Sequence, residues 1–338
     1  SIQRQNIESV TFVSGLSTAN NTKWDVSAGN DGSIMAWYTT NSSNGALDVY
    51  IGGTAAIFAN PNSSYLFANI GSASKCTATE VIKGLDLVTT KRVTNMKYMF
   101  YNTGSNAMTK LDLGTNFNTE SAKDMSHMFD GCGKDNMSTL KLNDKFKTTQ
   151  VTDMSYMFNG TANASSDITK ISLGKQFYTT SVTNMTSMFQ DCGASHMTEL
   201  DLGPAFTKIA STNSGMFDNT GKSGAVTIYA SEQIYLDRNN FKLDTTATTS
   251  AVNYTRGTIN PKYRTEWKKE ASTLTIDNSN LKNSKITVTL RGRTNAEAGK
   301  EFTSNVTSSL TADKIHVYFD GVESTTVSKS LATATTTK

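Results

Sequence analysis

The chain has 338 residues, 37% of them hydrophobic and 18% charged, with 32 Lys and Arg set against 29 Asp and Glu. A net charge of +3 excludes the dense one-signed field that nucleic acid or an acidic membrane surface demands, and no apolar run approaches the roughly 20 residues that cross a bilayer. With 15 Phe, 12 Tyr and 13 Met available for a core, the surface is left to neutral Ser, Thr, Asn and Gly, as is common outside cells. No signal peptide is visible, so Ser1 reads as the start of a mature or trimmed chain.

Residues 1–60 alternate in polarity at Ser9–Val13, Ile34–Tyr38 and Leu47–Ile51, with turn signals at Asp31-Gly32 and Asn44-Gly45. They predict a β-hairpin cap, assigned to residues 1–72, that shields the first strand edge of the central region.

Self-similarity dominates residues 73–230. Met96-x-x-Met99-Phe100 recurs as Met125-x-x-Met128-Phe129, Met154-x-x-Met157-Phe158 and Met185-x-x-Met188-Phe189, with worn copies at Met216-Phe217 and Leu66-Phe67. The second Met steps by 29, 29, 31 and 28 residues. A second motif keeps phase with the first: Met108-x-x-Leu111-x-Leu113, Met137-x-x-Leu140-x-Leu142, Ile168-x-x-Ile171-x-Leu173 and Met197-x-x-Leu200-x-Leu202. Phe117, Phe146, Phe177 and Phe206 follow these at a fixed spacing. Leu-x-Leu suits a short strand with both side chains inward. In Asp124-Met125-x-x-Met128-Phe129 the Asp stands where an N-cap would, and the apolar residues fall on one face of a single helical turn. Gly131, Gly160 and Gly193 then let the chain turn back. One unit cannot bury its own apolar face, so the expected fold is an α/β-type leucine-rich-repeat solenoid: short strands, single-turn helices, about five turns and capped ends.

Val226–Tyr229 reads as the last ladder strand, and residues 231–270 as a C-terminal cap and linker. From 271 to 338 the β-branched runs Thr273–Ile276, Lys285–Leu290, Lys314–Phe319 and Ser324–Ser328 argue for a β-sandwich, with a tight turn at Asp320-Gly321. The module is short for a sandwich, which leaves a strand missing or donated by a neighbour. Lys285, Asn305 and the acidic Glu301 are candidates for an isopeptide crosslink.

No catalytic motif appears: no Gly-x-Ser-x-Gly, no His-Glu-x-x-His and no phosphate-binding loop. His127 fills a slot that holds Tyr98, Tyr156 and Ser187 in other repeats, while His196 and His316 fall in unrelated settings. Asn30-Asp31-Gly32 reads as a turn and not as a calcium loop. Cys76, Cys132 and Cys192 show no metal-ligand spacing, and Cys132 and Cys192, two repeats apart, are too distant for a disulfide and should be buried free thiols. The chain is therefore expected to be no enzyme, with neither metal nor cofactor. Binding has better candidates in the variable residues beside the inward leucines. One column runs Asp86, Asp112, Lys141, Ser172 and Asp201, and its neighbour Lys110, Thr139, Lys170 and Glu199. Asp112, Lys141, Ser172, Asp201, Lys110, Lys170 and Glu199 are the expected ligand-facing set, and changing Lys141 and Asp112 together should abolish binding. Tyr98, Tyr101, Tyr156 and Tyr178 are placed on the outer side of the repeat.

The pattern Val93-Thr94-Asn95-Met96, Val151-Thr152-Asp153-Met154 and Val182-Thr183-Asn184-Met185, each followed by x-x-Met-Phe, resembles the BspA-type leucine-rich repeats. These are also known as a domain of unknown function in bacterial surface proteins and mycoplasma lipoproteins. The likeness takes in an opening segment, Trp24-Asp25 to Trp37, and a closing one, Asn253 to Pro261. Ser284–Gly292 resembles an Ig-like spacer of Gram-positive surface proteins. The resemblance implies an extracellular protein of the bacterial surface or cell wall that adheres to a host, matrix or neighbouring-cell protein, without shared catalytic residues. The alternative is a fibre or surface-layer subunit that self-associates through its β modules.

Overall fold

The structure, a computed structural model, describes residues 2–16, 22–221 and 226–229, and beyond them short strands at 264–267, 292–296, 314–315, 318–319, 322–323 and 329–330. The chain divides into two compact units, Ser1–Ile259 and Asn260–Lys338.

The first unit opens on a mixed sheet built from β1 (Ile7–Ser14), β2 (Lys23–Asp25), β3 (Ile34–Thr40) and β4 (Leu47–Gly53). After β5 (Ile57–Phe58) the chain returns with β6 (Ile82–Lys83), giving the order β2-β3-β4-β1-β6. β2, β3 and β4 run antiparallel, joined through the expected Asp31-Gly32 and Asn44-Gly45 turns, whose glycines have φ of 71° and 68°. β1 lies parallel to both β4 and β6. The region is thus more than a hairpin. Its inner face, with Val10, Phe12 and Val49, is continuous with the core of the repeats, and the Phe12 ring meets Phe67 edge-on at 6.1 Å.

The expected α/β-type leucine-rich-repeat solenoid is overturned. Among the described residues there is no α-helix, only two three-residue 3-10 turns at Arg4–Asn6 and Leu85–Leu87, and the strands fall into small separate sheets. β7 (Val88–Thr89) pairs with β5; β8 (Lys110–Asp112) pairs with β9 (Thr139–Lys141); β10 (Lys170–Ser172), β11 (Glu199–Asp201) and β12 (Thr227–Tyr229) make a three-stranded parallel sheet. The ladder lapses between β9 and β10, where the repeat step lengthens to 31 residues.

Hydrogen bonding explains why no helix forms. Tyr98, Phe100 and Asn102 donate their N–H groups to Ser126, Met128 and Asp130 of the next repeat at 3.0, 2.8 and 2.7 Å. Met99, Tyr101 and Thr103 donate instead to Met96, Tyr98 and Phe100, three residues back, at 3.1, 3.1 and 3.2 Å. A helix would use every N–H within the segment; here alternate groups tie one repeat to another. The geometry needs left-handed residues, met at Tyr98, Asn102 and Gly104 with φ of 56°, 52° and 58°. The recurring Asp or Asn builds a local turn in place of a helix cap: Asp124 Oδ1 accepts Ser126 N–H at 2.9 Å and Ser126 Oγ at 2.7 Å. Parallel bridges link Asn62, Asn95, Asp124, Asp153, Asn184 and Thr212 in series. Six copies are therefore in register, and the worn Leu66-Phe67 copy is a full member.

The core is a set of columns. Phe67, Phe100, Phe129, Phe158, Phe189 and Phe217 stack at 5.2 to 5.4 Å between ring centroids. Phe146, Phe177 and Phe206 form a second column at 6.1 Å. A third position alternates Thr103, Cys132, Thr161, Cys192 and Thr220, all fully buried. Each of these Thr hydroxyls donates to a Phe carbonyl of the preceding repeat at 2.7 or 2.8 Å. The Cys thiols occupy the same buried slot, are free as expected, and are raised in pKa by burial.

Gly133 shows how tight this packing is. It has φ of 57°, and a Cβ there would lie 2.6 Å from Met137 Cβ and 2.3 Å from its Cε. Ala162 holds the equivalent position at φ 50°, in the repeat whose extra residues put Ile168 further along the chain. Gly133→Ala is expected to cost about 2–5 kcal/mol, combining left-handed strain with overpacking. Ala162→Gly should change stability by less than about 1 kcal/mol. Urea denaturation of both variants checks this, and equal small effects would contradict it.

In the second unit β13 (Arg264–Trp267) pairs antiparallel with β14 (Gly292–Ala296), and β15 (Lys314–Ile315) with β18 (Lys329–Ser330). β16 (Tyr318–Phe319) pairs antiparallel with β17 (Val322–Glu323) on either side of Asp320-Gly321. The expected strands Thr273–Ile276, Lys285–Leu290 and Ser324–Ser328, the Lys285–Asn305 crosslink and residues 231–263 and 268–270 of the expected cap and linker lie outside the described residues.

Candidate recognition surface

The expected charged columns do sit on β8 to β11, one residue either side of the buried Leu111, Leu140, Ile171 and Leu200. Their charges are used on one another. Lys141 Nζ donates to Asp112 Oδ2 at 3.1 Å, Lys110 Nζ lies 3.5 Å from the same oxygen, and Lys170 pairs with Glu199. Asp112 Oδ1 also accepts Gly114 N–H at 2.9 Å. Burial works against ionising Asp112, but the Gly114 amide and the Lys141 ammonium outweigh it and hold the carboxyl below its ordinary pKa. Ser172 is half-buried. Asp201, expected on the exposed column, is fully buried and accepts Gly203 N–H at 3.0 Å. Asp86 lies in the 3-10 turn, not on a strand, and binds Thr115. Exposed ion pairs of this kind are worth about 0–1 kcal/mol and present a ligand with charges already matched.

The tyrosines make a different surface. Tyr65, Tyr98, His127 and Tyr156 stack face to face at 4.6, 4.3 and 4.6 Å along the outer turns. His127 Nδ1 lies 2.7 Å from Asp130 Oδ2, so the ring is fixed on its face and on its edge.

A third feature was not singled out in the sequence. An open cleft of about 860 Å³ lies between the N-terminal sheet and the first repeat. Strand alternation puts Trp24 of β2, Tyr38 of β3, and Leu47, Val49 and Ile51 of β4 on one sheet face, and all of them line the cleft. The rings of Trp24 and Tyr38 lie 6.3 Å apart, tilted by 50°. Leu66, Phe67 and Ile70 of the first repeat form the opposite wall. Trp24 and Leu66 remain 36% and 39% exposed, as large apolar side chains in solvent. The N-terminal segment closes one end with Arg4, whose Nη1 donates to the carbonyls of Tyr65, Leu66 (3.1 Å) and Ala68 (3.3 Å). Partial burial lowers its pKa. Trp37 and Tyr50 stack at 5.9 Å on the other face of the sheet.

Among the described residues no cluster of three or more His, Cys, Asp or Glu is placed to hold a metal ion, and no helix is long and apolar enough to cross a membrane. The searches of curated proteins and of solved structures gave no match. A family comparison did: residues 69–198, covering the regular repeats and β6 but not β1 to β4, are similar to the family described as "Mycoplasma protein of unknown function, DUF285".

Proposed function

We propose that the protein is a bacterial cell-surface interaction module, presented outside the cell to bind a host, matrix or neighbouring-cell protein. The repeats hold the recognition surface rigidly, and the cleft of Trp24, Tyr38 and Arg4 is its centre. The observation that carries this reading is that cleft: it combines Trp, Tyr and Arg, the residue types enriched at interface hot spots, in one concave and partly exposed patch. The resemblance of the repeats to BspA-type surface proteins supports the location and the adhesive role, and the Ig-like resemblance of the C-terminal module supports a spacer. The charged strands are the lesser candidate, because their lysines and acids are already paired.

The test is binding of the full chain to a panel of immobilised extracellular-matrix proteins, read by surface plasmon resonance. Saturable binding to at least one is expected. Trp24→Ala should weaken it about 30-fold or more, as truncation of a hot-spot residue does. The double variant Asp112→Ala with Lys141→Ala should change it by less than about fivefold. Absence of binding across the panel, or binding indifferent to Trp24→Ala, refutes the reading.

A further inference from the structure

We propose that the cleft takes an extended peptide segment of the partner, with apolar side chains on the Trp24–Tyr38 face and a carboxylate at Arg4. This rests on the recognition reading above and goes on to name the chemistry of the ligand.

Charge complementarity is the first argument. Of the sixteen residues lining the cleft, Arg4 is the one that carries a formal charge. Its hydrogen bonds run to three neutral carbonyls, and among the described residues no carboxylate pairs with it. Arg4 is solvent-exposed at the end of the cleft, and a ligand that supplies the anion there gains a charge-assisted, bidentate contact.

Shape is the second argument. The cleft volume falls within the range of about 300–1,000 Å³ typical of ligand sites, yet it is open along one side and edged by Gln3, Asn6, Thr22 and Thr40. Those amides and hydroxyls can meet the main-chain groups of a peptide. β2 is also the outermost strand in the sheet order, the position from which an added strand can pair. A fatty acid would want an enclosed apolar tunnel and would use none of these polar groups.

The experiment pans a displayed random-peptide library on the full chain, then titrates the enriched peptide and a twin with its acidic residue replaced by the amide. Wild type is expected to enrich peptides that place Asp or Glu among apolar residues, and to bind the acidic form at least about tenfold more tightly than its twin. Arg4→Gln should erase that preference and Arg4→Lys should keep part of it, which separates lost charge from lost folding. Trp24→Ala should weaken both peptides alike. Enrichment without an acidic residue, equal affinity for the twins, or a preference that survives Arg4→Gln overturns the proposal. So does tight binding of dodecanoate with no peptide enriched, which would make the site one for lipid amphiphiles. If no peptide binds while matrix binding still depends on Trp24, the recognition reading stands and this inference alone fails.

Discussion

Phe129→Ala should destabilise the repeat array by about 3–5 kcal/mol, whereas Lys123→Ala, an exposed change one turn earlier, should stay within about 0.5 kcal/mol. Phe129 is fully buried, with the rings of Phe100 and Phe158 at 5.4 and 5.3 Å on its two faces and that of Phe146 at 6.3 Å. Each stacked pair adds about 0.5–1.5 kcal/mol beyond the area it covers. The hole left by truncation cannot close. Phe129 N–H is bonded to Met157 O, and Phe100 N–H to Met128 O, both at 2.8 Å, so the backbone holds the repeats apart at their present spacing. Urea denaturation followed by circular dichroism gives the size of the loss, and hydrogen exchange gives its place. Exchange should quicken in residues 96–104, 125–133 and 154–162 before it does in β1 to β4. A loss below about 1 kcal/mol would mean that the ring column contributes little and that the backbone ladder holds the repeats together alone.

The phase of the repeat was legible because Met, Phe and Leu recur at fixed spacing, and those positions are buried as their periodicity requires, except Leu142, which is half-buried, and Leu66, which is exposed. The local conformation was not. Apolar residues at i, i+3 and i+4 fit one helical turn, but they equally fit a run of tight turns in which every second N–H crosses to the next repeat. Part of the difference was visible in hindsight from composition. Asn102, Gly131, Gly160 and Asp191 share one left-handed column, and Gly104, Gly133 and Gly193 share another in which the third repeat has Ala162, so each supposed helical segment runs into at least one poor helix former. The third left-handed column carried no such signal. Tyr98, His127 and Tyr156 adopt positive φ although aromatic residues seldom do, and stacking along the column together with inter-repeat hydrogen bonds holds them there.

The surface was harder to read than the core. The charged columns were found, since alternation about Leu111 and Leu140 dictates their place, but sequence could not show that Lys141 and Lys110 converge on Asp112 or that Asp201 is buried. The cleft was missed for a different reason. Its parts were visible as strand alternation in Leu47–Ile51 and Ile34–Tyr38, yet the cavity exists only because that sheet face and Leu66, Phe67 and Ile70 of the first repeat line one space. Arg4 belongs to a segment with no repeat and no alternation, and nothing in its neighbours announces a role.

Glu8 anchors the sheet that forms one wall of that cleft, and Glu8→Gln is the second change expected to have a large effect, about 2–3 kcal/mol. Its side chain is buried on β1. Oε1 accepts Thr77 N–H at 2.6 Å, Ala78 N–H at 2.9 Å and Thr77 Oγ1 at 3.0 Å; Oε2 accepts Asn41 Nδ2 at 2.8 Å and Asn44 Nδ2 at 3.1 Å. The carboxylate thus binds the β3–β4 turn to the segment between the first repeat and β6. A glutamine would turn its own NH2 towards one set of these donors. The asparagines cannot flip to receive it, because Asn41 Oδ1 and Asn44 Oδ1 already accept Ser43 N–H and Ala46 N–H. The same contacts set a pH dependence. Burial acts to raise the Glu8 pKa, but the Thr77 amide and the Asn44, Asn41 and Thr77 side chains overcome it and lower it from 4.5 to about 2. Unfolded, the carboxyl binds its proton near 4.5, before the folded form does, so this stabilisation is complete above that pH and is lost as pH falls towards about 2. Wild type should therefore lose stability through that window more steeply than Glu8→Gln, which has no proton to take up there. Melting temperatures of both proteins from pH 6 down to about 2 measure the difference. Parallel acid profiles would mean that the clamp is not held by the charge. A steeper wild-type profile would tie the anchorage of the N-terminal sheet on residues 77–78 to this single buried carboxylate.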